Sequence, residues 1–545
     1  MLEVGSVAGV TFTVATVAAA LGDEVLSVET HCEELARRQL LRAAGVVTWA
    51  DGMVVTRYEF THALYQQVAY ERLGLGHRVQ MHQRLGAGLE AAYGTRAVEL
   101  AAELADHFER GHDIRQAVYY LHQAAENAVQ RSAPREAITL LTRALTLLEY
   151  LSEMPERLHQ ELAIQLALGP VWVAMKGYGA PEVAHAYSRA RVLCQRAGSM
   201  PQLFPVLYGR WSVARLGAAL QTVQELAEEL FRLAQSPHDP TRLLIAHHAL
   251  ATTYFLRGEL ALAHAHAQQS NALYHLQQHR ALALPHGFHP GLICLAHGAV
   301  VLWLLGAPDQ ALTQVYDAFS LAQELGHPPS LAYVLSIVDV VHQLRRELPA
   351  VHEQAEALVA LSAAHGFAFY LATGTIFRGM ALAVQGQYAE AIEHMHQGMA
   401  ARQATGAVGI WQPYFMTFLA EAIMQARQFD EGMRLLVEAQ TVLESTGERW
   451  WEAEVHRLHG ELLWRRARAE ASQAETYFQQ ALAVARRQQA KSLELRAAMS
   501  LARLWQQQGK RAEAYQLLAE IYRCFTEGLD TADLQEAKAL IAVLT

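Results

Sequence analysis

The chain has 545 residues, 52% of them hydrophobic and 18% charged, with a formal net charge of −10. That balance excludes general disorder and gives no basic surface of the kind that dedicated nucleic-acid binding needs. Four cysteines, Cys32, Cys194, Cys294 and Cys524, lie far apart without a CxxC pair, which points to free thiols in a reducing cytoplasm.

Val4 to Gly22 carries no charge. Its flank is Glu3, where a signal peptide needs a basic region, so two short buried helices broken near Gly9–Thr11 are expected instead of an export signal. Residues 23–42 read as an amphipathic helix with Leu26, Cys32, Leu35, Leu40 and Leu41 on its apolar side. Val46-Val47-Thr48-Trp49 and Val54–Phe60 flank Asp51-Gly52, which predicts a β-hairpin. A helix follows at 61–73, with Thr61 as a candidate cap. Helices, a hairpin and a helix together suggest a small winged-helix domain over 1–80, followed by linking helices over 81–115.

From there a spacing pattern takes over. Ala502, Trp505, Gly509, Ala514, Leu518 and Ile521 are separated by steps of 3, 4, 5, 4 and 3. The same steps connect Gly379, Leu382, Gly386, Ala391, Met395 and Gly398, and three further sets that begin at Ala251, Ala299 and Ala420. Steps of three and four hold residues on one helical face. The middle residue falls at a turn, where Gly adopts a positive φ at little cost. Each unit is thus a helical hairpin that needs a neighbour to cover its apolar face. Turns are expected near Ser132, Gly179, Ala218, Gly258, Gly306, Arg346, Gly386, Arg427, Ala469 and Gly509. The pattern resembles the tetratricopeptide repeat, at a longer pitch of about 40 residues. The expected fold is all-α: a right-handed, tetratricopeptide-like solenoid of about ten hairpins over 116–530, preceded by the winged-helix domain with its one β-hairpin and closed by a C-terminal helix at 531–545.

Phe60-Thr61-His62-Ala63-Leu64 followed by Val68-Ala69-Tyr70-Glu71-Arg72-Leu73 resembles the F-x-H-A-L…V-A-Y-E-x-L segment of bacterial signal-transduction ATPases with numerous domains. In that family the segment closes a winged helix behind an AAA-like nucleotide-binding core, and many members carry a class III nucleotidyl cyclase domain further upstream. His82, Arg84-Leu85-Gly86 and the run Leu504–Gly528 resemble later parts of the same proteins. The resemblance implies that the chain corresponds to the C-terminal part of such a regulator. ATP or ADP with Mg²⁺ would then belong to the parent protein, since no G-x-x-x-x-G-K-[ST] occurs in this chain. It also implies that His62 contacts the β-phosphate of that nucleotide, although Ala63 stands where the family's better-studied motif has Asp.

No catalytic constellation is present, so the chain is expected not to be an enzyme. His286, His289, Cys294 and His297 lie within twelve residues, yet four ligands must converge for zinc, and no metal site is assigned. Carrying the spacing forward puts Phe255, Trp303, Tyr333 and Tyr414 on the inner face of the array, with Arg457, Trp464, Arg465, Arg496 and Arg503 at its C-terminal end. The expected partner is a protein or peptide held in this groove, or an upstream ATPase or cyclase domain; neither nucleic acid nor a membrane is expected. Two other readings remain open: a regulatory half whose catalytic domains lie on another chain, and a DNA-binding winged helix. The structural alternative for the groove is a tight superhelix that buries these residues within itself.

Overall fold

The computed structural model describes every residue except 50, 51, 153, 154, 178, 199, 217–219, 236–238, 407–409, 468 and 469. Two units can be distinguished, Met1–Leu168 with Gln195–Ala197, and Gly169–Cys194 with Gly198–Thr545.

The first unit begins with α1 (Leu2–Ala8), β1 (Thr11–Thr13), α2 (Val14–Leu21), α3 (Val25–Arg37), β2 (Leu41–Thr48) and β3 (Val54–Phe60). The strands form an antiparallel sheet in the order β1-β3-β2. The uncharged segment does form two short helices, but Thr11–Thr13 between them is a strand on Arg57–Glu59. Buried Phe12 meets Phe60 at 5.8 Å and ties that strand to the hairpin. The helix expected over 23–42 stops at Arg37, because Gln39 turns the chain with φ 57° and Leu41 already pairs with Phe60. Asp51 of the expected hairpin turn lies outside the described residues. Helices α4 (Ala63–Arg72), α5 (Leu75–Tyr93), α6 (Ala101–Arg110), α7 (Ile114–Gln130) and α8 (Pro134–Leu148) follow. Thr61 is not the cap of α4: its hydroxyl donates to the Gln39 and Leu40 carbonyls, and His62 takes the N-cap position.

Helices α9 (Pro155–Lys176) and α10 (Pro181–Ala197) contribute residues to both units. The second unit continues as α11 (Leu203–Ala214), α12 (Leu220–Gln235), α13 (Pro240–Leu256) and α14 (Leu260–Leu273). An insertion follows, with the single turns α15 (Leu276–His279) and α16 (Ala283–His286). The pattern then resumes in α17 (Pro290–Leu304), α18 (Pro308–Leu325), α19 (Pro328–Arg345), α20 (Leu348–His365), α21 (Ala368–Val384) and α22 (Tyr388–Ala404). It ends in α23 (Gln412–Gln425), α24 (Phe429–Thr446), α25 (Glu452–Arg466), α26 (Ala471–Gln488), α27 (Lys491–Gln507), α28 (Arg511–Tyr522) and α29 (Ala532–Leu544). The chain is an all-α repeat solenoid with a small β-hairpin region.

The hairpin turns repeat one geometry. Ser132, Gly258, Gly306, Arg346, Gly386, Arg427 and Gly509 all have φ between 57° and 95°. In each, the next N–H returns to the carbonyl five residues earlier, as Glu259 does to Tyr254 at 2.9 Å and Gln387 to Leu382 at 3.1 Å. This is the αL helix ending that satisfies the last orphan carbonyls. The expected turns at Ala218 and Ala469 lie outside the described residues. Near Gly179 the positive φ, 87°, is carried by Gly177.

Small residues bring the two helices of a hairpin together. A Cβ added to Gly379 in α21 would sit 2.8 Å from the Ala391 carbonyl oxygen and 3.0 Å from the Met395 nitrogen of α22. The nearest atom, Met395 Cγ at 2.7 Å, can move with its rotamer, but these two are backbone and no rotamer change relieves their clash. Gly379→Ala is therefore expected to lower unfolding stability by about 1–3 kcal/mol, as overpacking does. Chemical denaturation measures this; an unchanged midpoint would contradict the helix–helix register described.

Candidate functional site

The inner face of the second unit is made by the first helix of each hairpin, and the unit's own later repeats cover much of it. The Arg449 N–H donates to the Leu256 carbonyl at 2.7 Å. Ser492 Oγ donates to the Trp303 carbonyl at 2.5 Å, and Arg496 Nη2 to the Leu344 carbonyl at 2.8 Å. The ends of α13, α17 and α19 are thus capped by residues at or near the starts of α25 and α27. Beneath these caps lies an aromatic core. Phe255 and Trp411 each approach Trp450 at 4.8 Å, and Tyr414 approaches Trp451 at 5.2 Å. Both adjacent tryptophans are fully buried, with Trp450 Nε1 donating to Glu448 and Trp451 Nε1 to Thr417.

This changes the place of the expected groove aromatics. Phe255, Trp303 and Tyr414 are 0–3% exposed and offer no surface to a partner. Tyr333 is 8% exposed and lines a small interior cavity. Trp303 carries the Arg496 guanidinium 4.8 Å from its ring centroid. The sequence pattern identifies the inner face but not what covers it.

The arginines go elsewhere. Arg457, Trp464, Arg465, Arg496 and Arg503 line one cavity of about 1090 Å³, bounded by residues of α19, α21, α23, α25, α27 and α29. Arg346 and Arg465 are exposed where it meets solvent. Its wall is a lattice of ion pairs. Arg457 grips Glu454 through Nε and Nη2 at 2.9 and 2.7 Å. Arg496 Nε meets Asp533 at 2.7 Å, Arg346 bridges Asp533 and Glu536, and Arg503 meets Glu536 at 3.0 Å. Glu461 accepts from Ser500 Oγ at 2.7 Å and faces Arg465 at 3.5 Å. Burial pushes the Glu454 and Asp533 carboxyls up, but the facing guanidiniums outweigh it and hold both below their ordinary range. Glu421 differs: burial raises its carboxyl, and Arg457 offsets this only in part.

His62 lies in the first unit. It is exposed, and its Nδ1 accepts from the Leu64 N–H at 3.1 Å. That bond puts the proton of a neutral ring on Nε2. Of the histidine-rich segment, His289 Nε2 donates to the His279 carbonyl and His297 Nε2 pairs with the Tyr333 hydroxyl. Among the described residues no three His, Cys, Asp or Glu side chains converge as a metal site would need, and no helix is long and apolar enough to cross a membrane.

No family model matches the chain. An uncharacterised protein of Rhizobium meliloti (strain 1021) is 25% identical over 420 residues, 76% of this chain and 40% of the relative. The chain therefore spans about 40% of the length of the curated relative it matches. Among solved structures, a Rap protein complexed with competence and sporulation factor has a TM-score of 0.44 at 14% identity, over 79% of this chain and all of its own. A signal transduction ATPase with numerous domains and a tetratricopeptide repeat sensor, from Pyrococcus horikoshii, has a TM-score of 0.35 at 12% identity, over 74% of this chain and 63% of its own.

Two outcomes follow from the geometry. Trp303→Ala removes a buried ring and the seat of Arg496, so it is expected to cost about 3–5 kcal/mol of stability. Arg503→Ala, half exposed and singly paired, should shift stability by less than about 1 kcal/mol. Parallel denaturation curves test the contrast; equal, small effects would return Trp303 to the surface.

The second outcome concerns pH. Burial pushes His286, His289, His327 and His459 down to about 4 and His297 to about 3. An unfolded imidazole takes up its proton near 6.5, so the unfolded state binds more protons between that value and about 4. Stability is then full above about pH 7 and falls as pH drops through this window, by up to about 1.4 kcal/mol per pH unit for each histidine. The carboxyls of Glu448, raised to about 7 by burial, and of Glu421 and Asp339, also raised by burial, work in the opposite sense but are fewer than the histidines. Denaturation midpoints at pH 8, 6 and 5 should fall in that order; a flat series would contradict it.

Proposed function

We propose that the repeat array docks a protein or peptide segment in the 1090 Å³ cavity, and that the chain is a cytoplasmic sensor region controlling an ATPase or nucleotidyl cyclase without performing catalysis itself. The observation that carries this reading is the cavity wall, with its rim guanidiniums Arg465 and Arg503 and the raised carboxyl of Glu421. A segment with an acidic group for the rim and a basic group for Glu421 complements it. In this reading residues 1–80 form a winged-helix module, 81–115 link it to the array over 116–530, and 531–545 close the cavity. The match covers 40% of a longer relative, which agrees with a parent protein longer than this chain. His62 fits the nucleotide contact that the family resemblance implies. Its Nδ1 is committed to the helix cap, which leaves Nε2–H to donate to a phosphate. ATP or ADP, held with Mg²⁺ by the parent protein's core, would supply that phosphate.

A peptide array probed with the full chain tests the docking. Bound peptides should carry both charge signs, and Arg503→Glu or Glu421→Gln should weaken them about tenfold, near the value of one charge-assisted hydrogen bond. Peptides that bind equally well to both variants would place docking outside this cavity.

A further inference from the structure

A second, smaller cavity lies in the same unit between α19, α21 and the start of α23. It measures about 70 Å³, and Phe288, Tyr333, Phe369, Phe377 and Phe415 make one side of its lining aromatic. Two charged side chains stand on that wall, the buried Arg215 just after α11 and Arg402 at the end of α22. Arg402 is 3% exposed. Its Nη2 donates to the Ile410 carbonyl at 3.1 Å, while Nε and Nη1 have no hydrogen-bond partner. The guanidinium lies over Phe369 at 4.9 Å and Phe415 at 5.2 Å. Ring faces attract a cation but do not accept its N–H groups as an oxygen does. The acid that acts on it electrostatically, Glu448, already accepts from the Trp411 N–H and Trp450 Nε1. Burial accordingly pushes the Arg402 guanidinium down to about 10. A buried cation with two unmet nitrogens is a costly arrangement unless an acceptor arrives.

We propose that this cavity is a binding site for a short-chain aliphatic monocarboxylate, its carboxylate on Arg402 and its alkyl tail against the aromatic wall. The charge calls for an anion, and the wall calls for an apolar tail. The volume sets the size of the tail alone, since the carboxylate sits on Arg402 in the wall: it exceeds the roughly 10–15 Å³ that a water needs and falls short of the ~150 Å³ cavity known to hold benzene. Inorganic anions lack the tail, and aromatic acids are too large. The site is separate from the charged cavity, so each proposal can fail without the other.

The test titrates the full chain with sodium butyrate, using butyramide and sodium chloride at matched ionic strength as controls. Trp411 stands on the wall, so its fluorescence reports occupancy alongside the thermal midpoint. Butyrate should change both saturably and raise the midpoint, while butyramide and chloride should do neither. Arg402→Gln should weaken butyrate about tenfold or more, the loss of one charge-assisted hydrogen bond. Should that variant fail to fold, Thr373→Leu narrows the cavity from another wall and should abolish the response with Arg402 in place. No saturable butyrate effect, an equal effect of butyramide or chloride, or full binding by Thr373→Leu would overturn the proposal.

Discussion

Three helix-end carbonyls hold the second unit together. Leu256, Trp303 and Leu344 end the first helices of three hairpins, and each accepts a hydrogen bond from a much later repeat. A helix leaves its last carbonyls without intrahelical partners, and the αL turns satisfy only some of them. The later repeats supply donors to Leu256 and Leu344 and a second donor to Trp303, which already accepts from the Gly306 N–H, and in doing so they lay α25 and α27 against the inner face. Asp309 and Glu527 add a further tie, with the Gly528 N–H donating to Asp309 at 2.8 Å. Stacking of neighbours alone would leave an open inner face. These long-range bonds close it, and Phe255, Trp411, Tyr414 and Trp450 become core.

Closure is incomplete where the inner helices carry charge in place of rings. From α23 to α27 the inward positions are Glu421, Glu454, Arg457, Glu461, Arg496 and Arg503. Buried charges hold apart surfaces that apolar residues would draw together, since each needs a partner or water. Glu454, Arg457, Glu461, Arg496 and Arg503 pair with one another or with Asp533 and Glu536 of α29, and Glu421 is offset only in part by Arg457. The result is a lined cavity in place of a packed core. Ion pairing of this kind gives little net stability. It does leave a wall that can exchange an internal pair for a ligand's charge, which makes it suited to recognition.

The repeat architecture was legible because its signal is local. A small residue on each helix face and a positive-φ position at each turn are properties of single hairpins, so Gly379, Gly386 and Ala391 announce them in sequence. Even Ser132, Arg346 and Arg427, which are not glycine, fall at the predicted turns by count alone. The inward face was legible for the same reason, and the charged wall follows its register. What covers that face was not. Trp303 has the same pattern whether it meets solvent or Ser492, 189 residues away. Thr11–Thr13 was missed because three residues are too short for periodicity, and only the hairpin beside them makes them a strand. Arg402 gave no signal either, since its isolation depends on which neighbours happen to be aromatic.

The claim that long-range capping closes the inner face is tested most directly by amide hydrogen exchange. The N–H groups of Arg449 and Gly528 lie outside regular helices and are bonded to Leu256 and Asp309. If closure is part of the native state, both exchange as slowly as the core amides of α17 and α27, through global opening alone. If they exchange at the rate of unprotected loop amides while α17 and α27 stay protected, the later repeats do not hold the inner face, and the account of the aromatic core is wrong.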